Sequence, residues 1–317
     1  MAEYTWEQDE PSGPLKNHAL SSDMREAAIA ATKLLPFADP ESGYGAGKGE
    51  TVTITRIRNI AEPANPRFNE RERVPIDRFE LSTTAITVQY FGRGIGYTEK
   101  SQLLNTYDLK DKIQRKLRQQ MQLALDSAAG TALKAGKVKF IPTTLTGGVF
   151  DTDGTPSTQA LVNLTVSHLK ILRDYAMDTL HIPGWAGGEE LIGCFSTKAL
   201  RGVRNDPEFT ESQKYTSAEY LMTGEIGKVE NIRLIEINHT NAMSNSKGAS
   251  GVLGEGVVFG EDALSIATAM DPELRAEVPA NFGLSRAVAW LGLLEFGQPW
   301  GDSNSDGEAR VLHVTSS

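Results

Sequence analysis

Along residues 109–134 apolar side chains recur at three- and four-residue steps, on Leu109, Ile113, Leu117, Met121, Ala124 and Ala128, with Lys110, Lys112, Arg115, Lys116 and Arg118 between them. The spacing predicts one amphipathic helix whose core face centres on Ile113, Leu117 and Met121. No Pro interrupts it and Gly136 closes it. At ~1.5 Å per residue it would run about 40 Å, enough to span a domain. Asn105, Thr106 and Asp108 offer an N-cap.

Ahead of this helix the pattern switches to alternation. Residues 51–57 (TVTITRI) and 85–91 (AITVQYF) read as the two legs of a β-ribbon, and 92–96 (GRGIG) as a hinge into the helix. Between the legs lie residues 58–84, longer than a connection inside a compact domain normally is. They hold three prolines and a mixed row of charges, Arg67, Glu70, Arg71, Glu72, Arg73, Asp77 and Arg78. A two-stranded ribbon is marginal alone in water, so the excursion must lean on another surface, and the alternating charges suit ion pairs with a neighbouring copy. Residues 1–48 are broken by Pro11, Pro14, Pro36 and Pro40, with one short helical pattern at 24–35. They read as an arm without a core.

Behind the helix comes an α+β alternation. Strands are expected at 137–143, 191–196, 232–237, 256–259, 274–278, 285–296 and 309–315. Helices are expected at 165–181 (on Leu169, Leu172, Ala176 and Leu180), 198–205, 217–223 and 261–269, with a turn region at 147–158.

Composition narrows the function. The 317 residues are 39% hydrophobic and 23% charged, ordinary for a folded protein. No apolar run approaches the ~18 residues of a membrane span, and the acidic start MAEYTWEQDEPSG is unlike a secretory signal, so the expected location is a cytoplasm. A net charge of −9 argues against a dedicated nucleic-acid binder. The single cysteine, Cys194, excludes an internal disulfide, and in its apolar surroundings it reads as a core residue.

The order of arm, ribbon excursion, YTEKSQLL at 97–104, long helix, α+β domain, long returning strand and final strand resembles one family. It is the major capsid proteins of tailed bacteriophages, with the Hong Kong 97-type fold. Two stretches strengthen the resemblance: EIGKVENIRLIEIN at 225–238, though without the proline common in the family's turn, and GVVFGEDALS at 256–265. The resemblance implies an N-arm at 1–48, an extended loop at 49–97 and a peripheral domain at 98–145 and 268–300 built on the spine helix. The remainder, 146–267 and 301–317, would be the axial domain. It further implies a non-enzymatic shell subunit of the virion, assembled in the host cytoplasm into hexamers and pentamers. Its partners would be other copies, separate scaffolding, portal or decoration proteins, and packaged double-stranded DNA touched non-specifically, with no membrane and no cofactor. Arg67, Glu70, Arg71, Glu72, Arg73, Asp77 and Arg78 would then be intersubunit contacts. An arm this short leaves no room for a fused scaffolding domain of ~100 residues. An encapsulin-like compartment is the alternative within the fold.

Three stretches carry rival chemistry. VFDTDGT at 149–155 matches the nucleophile motif of haloacid-dehalogenase-like phosphatases, with Asp151 as nucleophile, Asp153 as acid, and Ser196, Lys198, Glu261 and Asp262 as conceivable later motifs. That motif must end a buried strand, whereas TTLTGG precedes Val149 and Pro156 follows closely; an Asp-rich turn explains the same letters. Asp302 to Gly307 imitates the start of a calcium loop, but His313 stands where the final Glu belongs. GYGAGKG at 43–49 falls short of a phosphate loop, with Ser42 in place of the first Gly and Gly49 in place of the hydroxyl, and reads as a hinge.

Overall fold

The structure is a computed structural model, and it describes residues 29–316 apart from 42–43, 46, 61, 64, 69, 72, 105–108, 210–224, 279–283 and 305–306. The expected N-cap at 105–108 and the expected helix at 217–223 lie outside the described residues.

The long helix runs Leu109–Lys134, as its spacing predicts. Its buried row is a ridge at strict four-residue steps: Ile113, Leu117, half-buried Met121, Leu125, Ala129 and Leu133. Each four-residue step advances ~40° round a helix of 3.6 residues per turn, so five steps turn the ridge through about 200°. The consequence is two contacts on different sides. Ile113 and Leu117 pack on Val288 and Trp290, while Leu125, Ala129 and Leu133 join a cluster with Ile192, Cys194, Val257 and Phe259. The expected stripe stepped back to Ala124 and Ala128, which are only half-buried flanks.

Those two contacts are two sheets. Strands β1 (Asp39–Pro40), β2 (Thr51–Ile57), β3 (Leu81–Thr87), β4 (Gln89–Thr98), β5 (Lys139–Thr144), β6 (Gly147–Asp151), β7 (Leu191–Ser196), β8 (Glu225–Val229), β9 (Ile232–Ile237), β10 (Gly256–Phe259), β11 (Ser265–Ala276), β12 (Ser285–Gly297) and β13 (Val311–Val314) follow in chain order. A four-stranded sheet has the order β1-β11-β12-β4, a mixed seven-stranded sheet β6-β5-β13-β10-β7-β9-β8, and β2-β3 form the ribbon. Strands β7, β10 and β13 are buried along their whole length, because the seven-stranded sheet is covered on both faces. The long helix covers one face. Helix Val166–Asp174, extended by a π turn at Tyr175–Thr179, helps cover the other with Leu169, Leu172, Ala176 and Leu180, all fully buried.

Several expectations are corrected. Residues 261–269 form no helix: β11 begins at Ser265 and pairs with β12 from Ser265↔Gly297 onward, so cross-strand partners override good helix formers. The sequence 92–96 is no hinge but the middle of β4, where a Cβ on Gly92 would lie 2.8 Å from the Trp290 carbonyl oxygen. The second ribbon leg starts at Leu81 and ends at Thr87, before β4. Strand β6 occupies the start of the expected turn at 147–158. In the arm, Ile29 to Lys33 is not helical, and a short 3-10 turn at Leu35–Phe37 follows; Met24 to Ala28 lie outside the described residues.

The C-terminal end of the long helix is held by side chains from both sheets. Gln298 Nε2 donates to the carbonyls of Ala132 and Leu133 at 2.8 and 2.7 Å, and Lys139 Nζ to that of Lys134 at 2.6 Å. These supplement the carbonyls of the last turn, which lack an i+4 partner within the helix, although the Ala132 carbonyl also accepts from Ala135 N at 3.1 Å. Beneath them Glu255 (1% exposed) accepts from Ser244 N at 2.7 Å and Lys134 Nζ at 3.0 Å, with His313 Nε2 3.4 Å away. Lys139 Nζ lies 3.1 Å from His313 Nδ1. A charged Lys139 therefore makes Nδ1 the acceptor and leaves the Nε2 proton facing Glu255.

Burial pushes Lys139 down to about 8. It pushes His313 down to about 4, against the pull of Glu255. For Glu255 burial acts upward, but His313, Ser244 and Lys134 outweigh it and hold the carboxyl at about 2. Between pH 6.5 and about 4 the unfolded histidine binds a proton that the folded one refuses, so stability present above 6.5 is lost as pH falls through this window. The Glu255 contribution is present above 4.5 and lost toward pH 2. Thermal midpoints of the unassembled subunit should therefore decline from pH 6.5 downward, and His313→Gln should flatten the upper part of that decline; an unchanged slope in the variant would contradict the assignment.

Leu117 is 1% exposed and Arg118 is exposed. Leu117→Asp would bury an unpaired carboxylate at a cost of several kcal/mol and should abolish soluble expression, whereas Arg118→Glu should be within about 0.5 kcal/mol of wild type in urea denaturation.

Candidate assembly surface

The ribbon alternates in burial along both legs. Its inner face sets Val52, Ile54, Ile86 and Val88 against Tyr44, Ala267 and Leu293 of the same chain. Arg56, 4% exposed, pins the inner face at the far end: its guanidinium bonds Ser82 Oγ at 2.7 Å and Asp302 at 2.5 Å, and lies over the Trp300 ring at 5.1 Å. Arg310 also lies over the Trp300 ring, 5.0 Å from its centroid, and Trp300 Nε1 donates to Asp262 at 2.6 Å. Arg58 reaches Glu80 and Glu308. The root of the excursion thus leans on its own chain. Asp302, conceivable as a calcium ligand from sequence, is engaged by Arg56 instead.

Beyond this root the excursion changes character. Arg67, Glu70, Arg71, Arg73, Asp77 and Arg78 are all exposed, and the structure shows no ion pair for any of them among the described residues; Glu72 lies outside those residues. The same stretch exposes large apolar side chains that charge-based reading passed over. Ile57, Ile60, Phe68, Val74, Ile76, Phe79 and Leu81 are each more than half exposed. Burying one such side chain is worth roughly 1.5–3 kcal/mol, against 0.2–1 kcal/mol for an exposed ion pair, so the apolar row is the stronger attachment. A concentration of this kind marks an interaction surface.

The arm is fastened from residue 31 onward by a side chain that helical periodicity does not suggest. Asp126, fully buried on the long helix, receives the backbone N–H groups of Lys33 and Leu34 on one oxygen at 3.0 and 2.8 Å. Its other oxygen lies 3.1 Å from His239 Nδ1. Leu34 is fully buried, Phe37 packs edge-on between Trp185 and Phe259, and β1 adds to β11 in parallel. The available sequence signal was an Asp within the small-residue half of an amphipathic helix.

The acidic turn is structural in geometry. Asp151 Oδ2 accepts from Ser157 N at 2.6 Å, and Asp153 Oδ1 accepts from Thr155 N and Oγ1 at 2.8 and 3.0 Å. The Ser157 hydrogen bonds hold the Asp151 carboxyl below its ordinary range. Strand β6 is an antiparallel edge strand paired only with β5, and not the buried parallel strand that the phosphatase motif requires. Burial raises the Cys194 thiol far above its ordinary value, as suits a core residue. Among the described residues no group of three or more His, Cys, Asp or Glu is placed to hold a metal ion, and no helix is long and apolar enough to cross a membrane.

No protein-family model matches the chain, and no curated protein matches it in sequence. Solved structures do match in shape over nearly the whole length. The cyanophage Pam1 capsid asymmetric unit has a TM-score of 0.68 at 12% identity, covering 100% of this chain and 99% of that one. The acidic stable capsid of Helicobacter pylori bacteriophage KHP30 has 0.67 at 11% identity, covering 100% and 98%. The capsid of Ralstonia phage GP4 has 0.62 at 12% identity, covering 96% and 97%. The fold is therefore that of tailed-phage capsid subunits, the Hong Kong 97-like α+β fold expected from element order.

Truncating Arg56 tests the root of the ribbon. Arg56→Ala removes charge-assisted bonds to Ser82 and partly exposed Asp302 and should cost about 1.5–3 kcal/mol locally. Limited trypsin digestion should cut at Arg58 several times faster than in wild type while the far-ultraviolet circular dichroism stays unchanged.

Proposed function

We propose that this chain is the major capsid subunit of a tailed bacteriophage. Many copies would self-assemble as hexamers and pentamers into the head shell that encloses double-stranded DNA. The observation that carries the reading is the apolar and Arg-rich excursion at 57–81, exposed beyond a root that is firmly tied to its own chain. Such a segment is costly on an isolated monomer and useful on a subunit that meets copies of itself. The fold shared with solved phage capsids supports the same reading.

In this proposal the arm is 1–48 and the extended loop covers 49–97, lying over a neighbour through Arg67, Glu70, Arg71, Glu72, Arg73, Asp77 and Arg78 as well as its apolar row. The peripheral domain is 98–145 with 268–300, and the axial domain is 146–267 with 301–317. Two boundaries are best shifted to keep sheets whole. Strand β4 pairs with β12 and so belongs with the peripheral sheet, and β5 pairs with β13 and so belongs with the axial sheet. The subunit works in the virion after assembly in the host cytoplasm, with separate scaffolding, portal or decoration proteins as further partners. It is not an enzyme. No observation favours an encapsulin-like compartment or a phosphatase using Asp151.

The full chain, expressed and viewed by negative-stain microscopy, should give rings or shells. Trypsin should cut at Arg67, Arg71, Arg73 and Arg78 early in unassembled subunits and slowly in shells. A protein that stays monomeric at all concentrations, or a loop equally cleavable in both states, would overturn the proposal.

A further inference from the structure

Two unsatisfied backbone surfaces of opposite kind occur in this chain. The first is the outer edge of β4, a ten-residue strand that among the described residues is paired on one side only, to β12. Natural edge strands of this length carry prolines, lysines or bulges that discourage pairing. Strand β4 has none of these, and Arg93 is its only charge. Gly92, Gly94 and Gly96 lie opposite Leu291, Ala289 and Ala287, so one face of the edge is a smooth gutter with no side chain on β4. Tyr90, 74% exposed, stands at its end.

The second surface is the segment at 73–79. Its backbone has no regular structure and makes no hydrogen bond among the described residues, while Val74, Ile76 and Phe79 are 56%, 76% and 62% exposed. One surface is an edge without a strand, and the other is an irregular segment whose backbone has no partner among the described residues. Within this chain no backbone hydrogen bond joins them among the described residues.

We propose that residues 73–79 of a second copy add as a strand to the free edge of β4, extending the four-stranded sheet across the subunit boundary. The inference rests on the capsid reading and specifies how the loop attaches. Pro75 fixes the side that bonds. In a strand the N–H and C=O of alternate residues point to opposite edges, and Pro has no N–H, so residue 75 must face away from β4. Residues 73, 77 and 79 face away with it, and Val74, Ile76 and Arg78 direct their backbone groups to β4. Glu99 N bonds the Leu284 carbonyl, so the even residues of β4 direct their backbone to the free edge, and in antiparallel addition the side chains of Val74 and Ile76 share the glycine face and lie beside the gutter. Strand addition supplies affinity through the main chain and specificity through alternate side chains.

The test compares three variants of the full chain. Ile76→Pro removes a donor aimed at β4, Asp77→Pro removes one aimed at solvent, and Ile76→Ala removes only the side chain. None touches a hydrogen bond present among the described residues, so each should fold like wild type. Ile76→Pro should raise the protein concentration needed for shell formation by about tenfold or more relative to Ile76→Ala, and Asp77→Pro should stay near wild type. Peptides covering β4 should also exchange amide hydrogen more slowly in wild-type shells than in free subunits. Shells that form with Ile76→Pro and Asp77→Pro equally affected, or with no added protection on β4, would overturn strand addition and leave the capsid reading intact. A wild-type chain that forms no shells would overturn both.

Discussion

The structure depends on one row of side chains that does not stay on one face. Ile113, Leu117, Met121, Leu125, Ala129 and Leu133 follow a four-residue step, and the mismatch with 3.6 residues per turn carries the row round the helix. One helix can therefore be the floor of a four-stranded sheet and the cover of a seven-stranded sheet. Without that rotation the two sheets would need separate helices and a flexible joint. With it, a single rigid rod about 40 Å long sets their relation.

A rod with two partners has a C-terminal end that must be satisfied away from water. Gln298 and Lys139 reach its last carbonyls from different sheets, and Asp126 uses its middle to seize two N–H groups of the arm. Apart from Lys139 to Lys134, five residues apart, these polar contacts are long in sequence separation. They fix which element approaches from which direction, which apolar packing leaves loosely specified. The Glu255, His313 and Lys139 group belongs to the same device.

The molecule divides into what satisfies itself and what does not. The two sheets, the helix and the strap at 31–40 pair their backbones and bury most of their large apolar side chains within the chain. The excursion beyond Arg56 and the free edge of β4 leave theirs open, apolar and backbone alike. That separation is the one the proposed assembly between copies would use. The apolar row carries more of the available energy than the charges, and the charges are better suited to orientation and partner choice.

Local pattern alone determined the elements whose periodicity matches a half-buried surface. The long helix, the first ribbon leg, β7, β9, β10 and the returning strand β12 follow from spacing and β-branching, and their order identified the fold. Spacing also placed Ile113, Leu117 and Met121 on the packing side of the helix. Where local preference and tertiary pairing disagreed, pairing won: residues 265–269 read as helix and became strand because β12 offered a partner along its length. The glycines of β4 read as a hinge because nothing local reveals that Trp290 and Ala289 lie against them. Asp126 as an arm latch, Arg56 as a ribbon pin and the capping of the long helix by Gln298 connect residues from 92 to 246 positions apart. Such contacts exist only once the chain has folded, because a sequence records which groups need partners, and only the tertiary structure decides which partners come within reach.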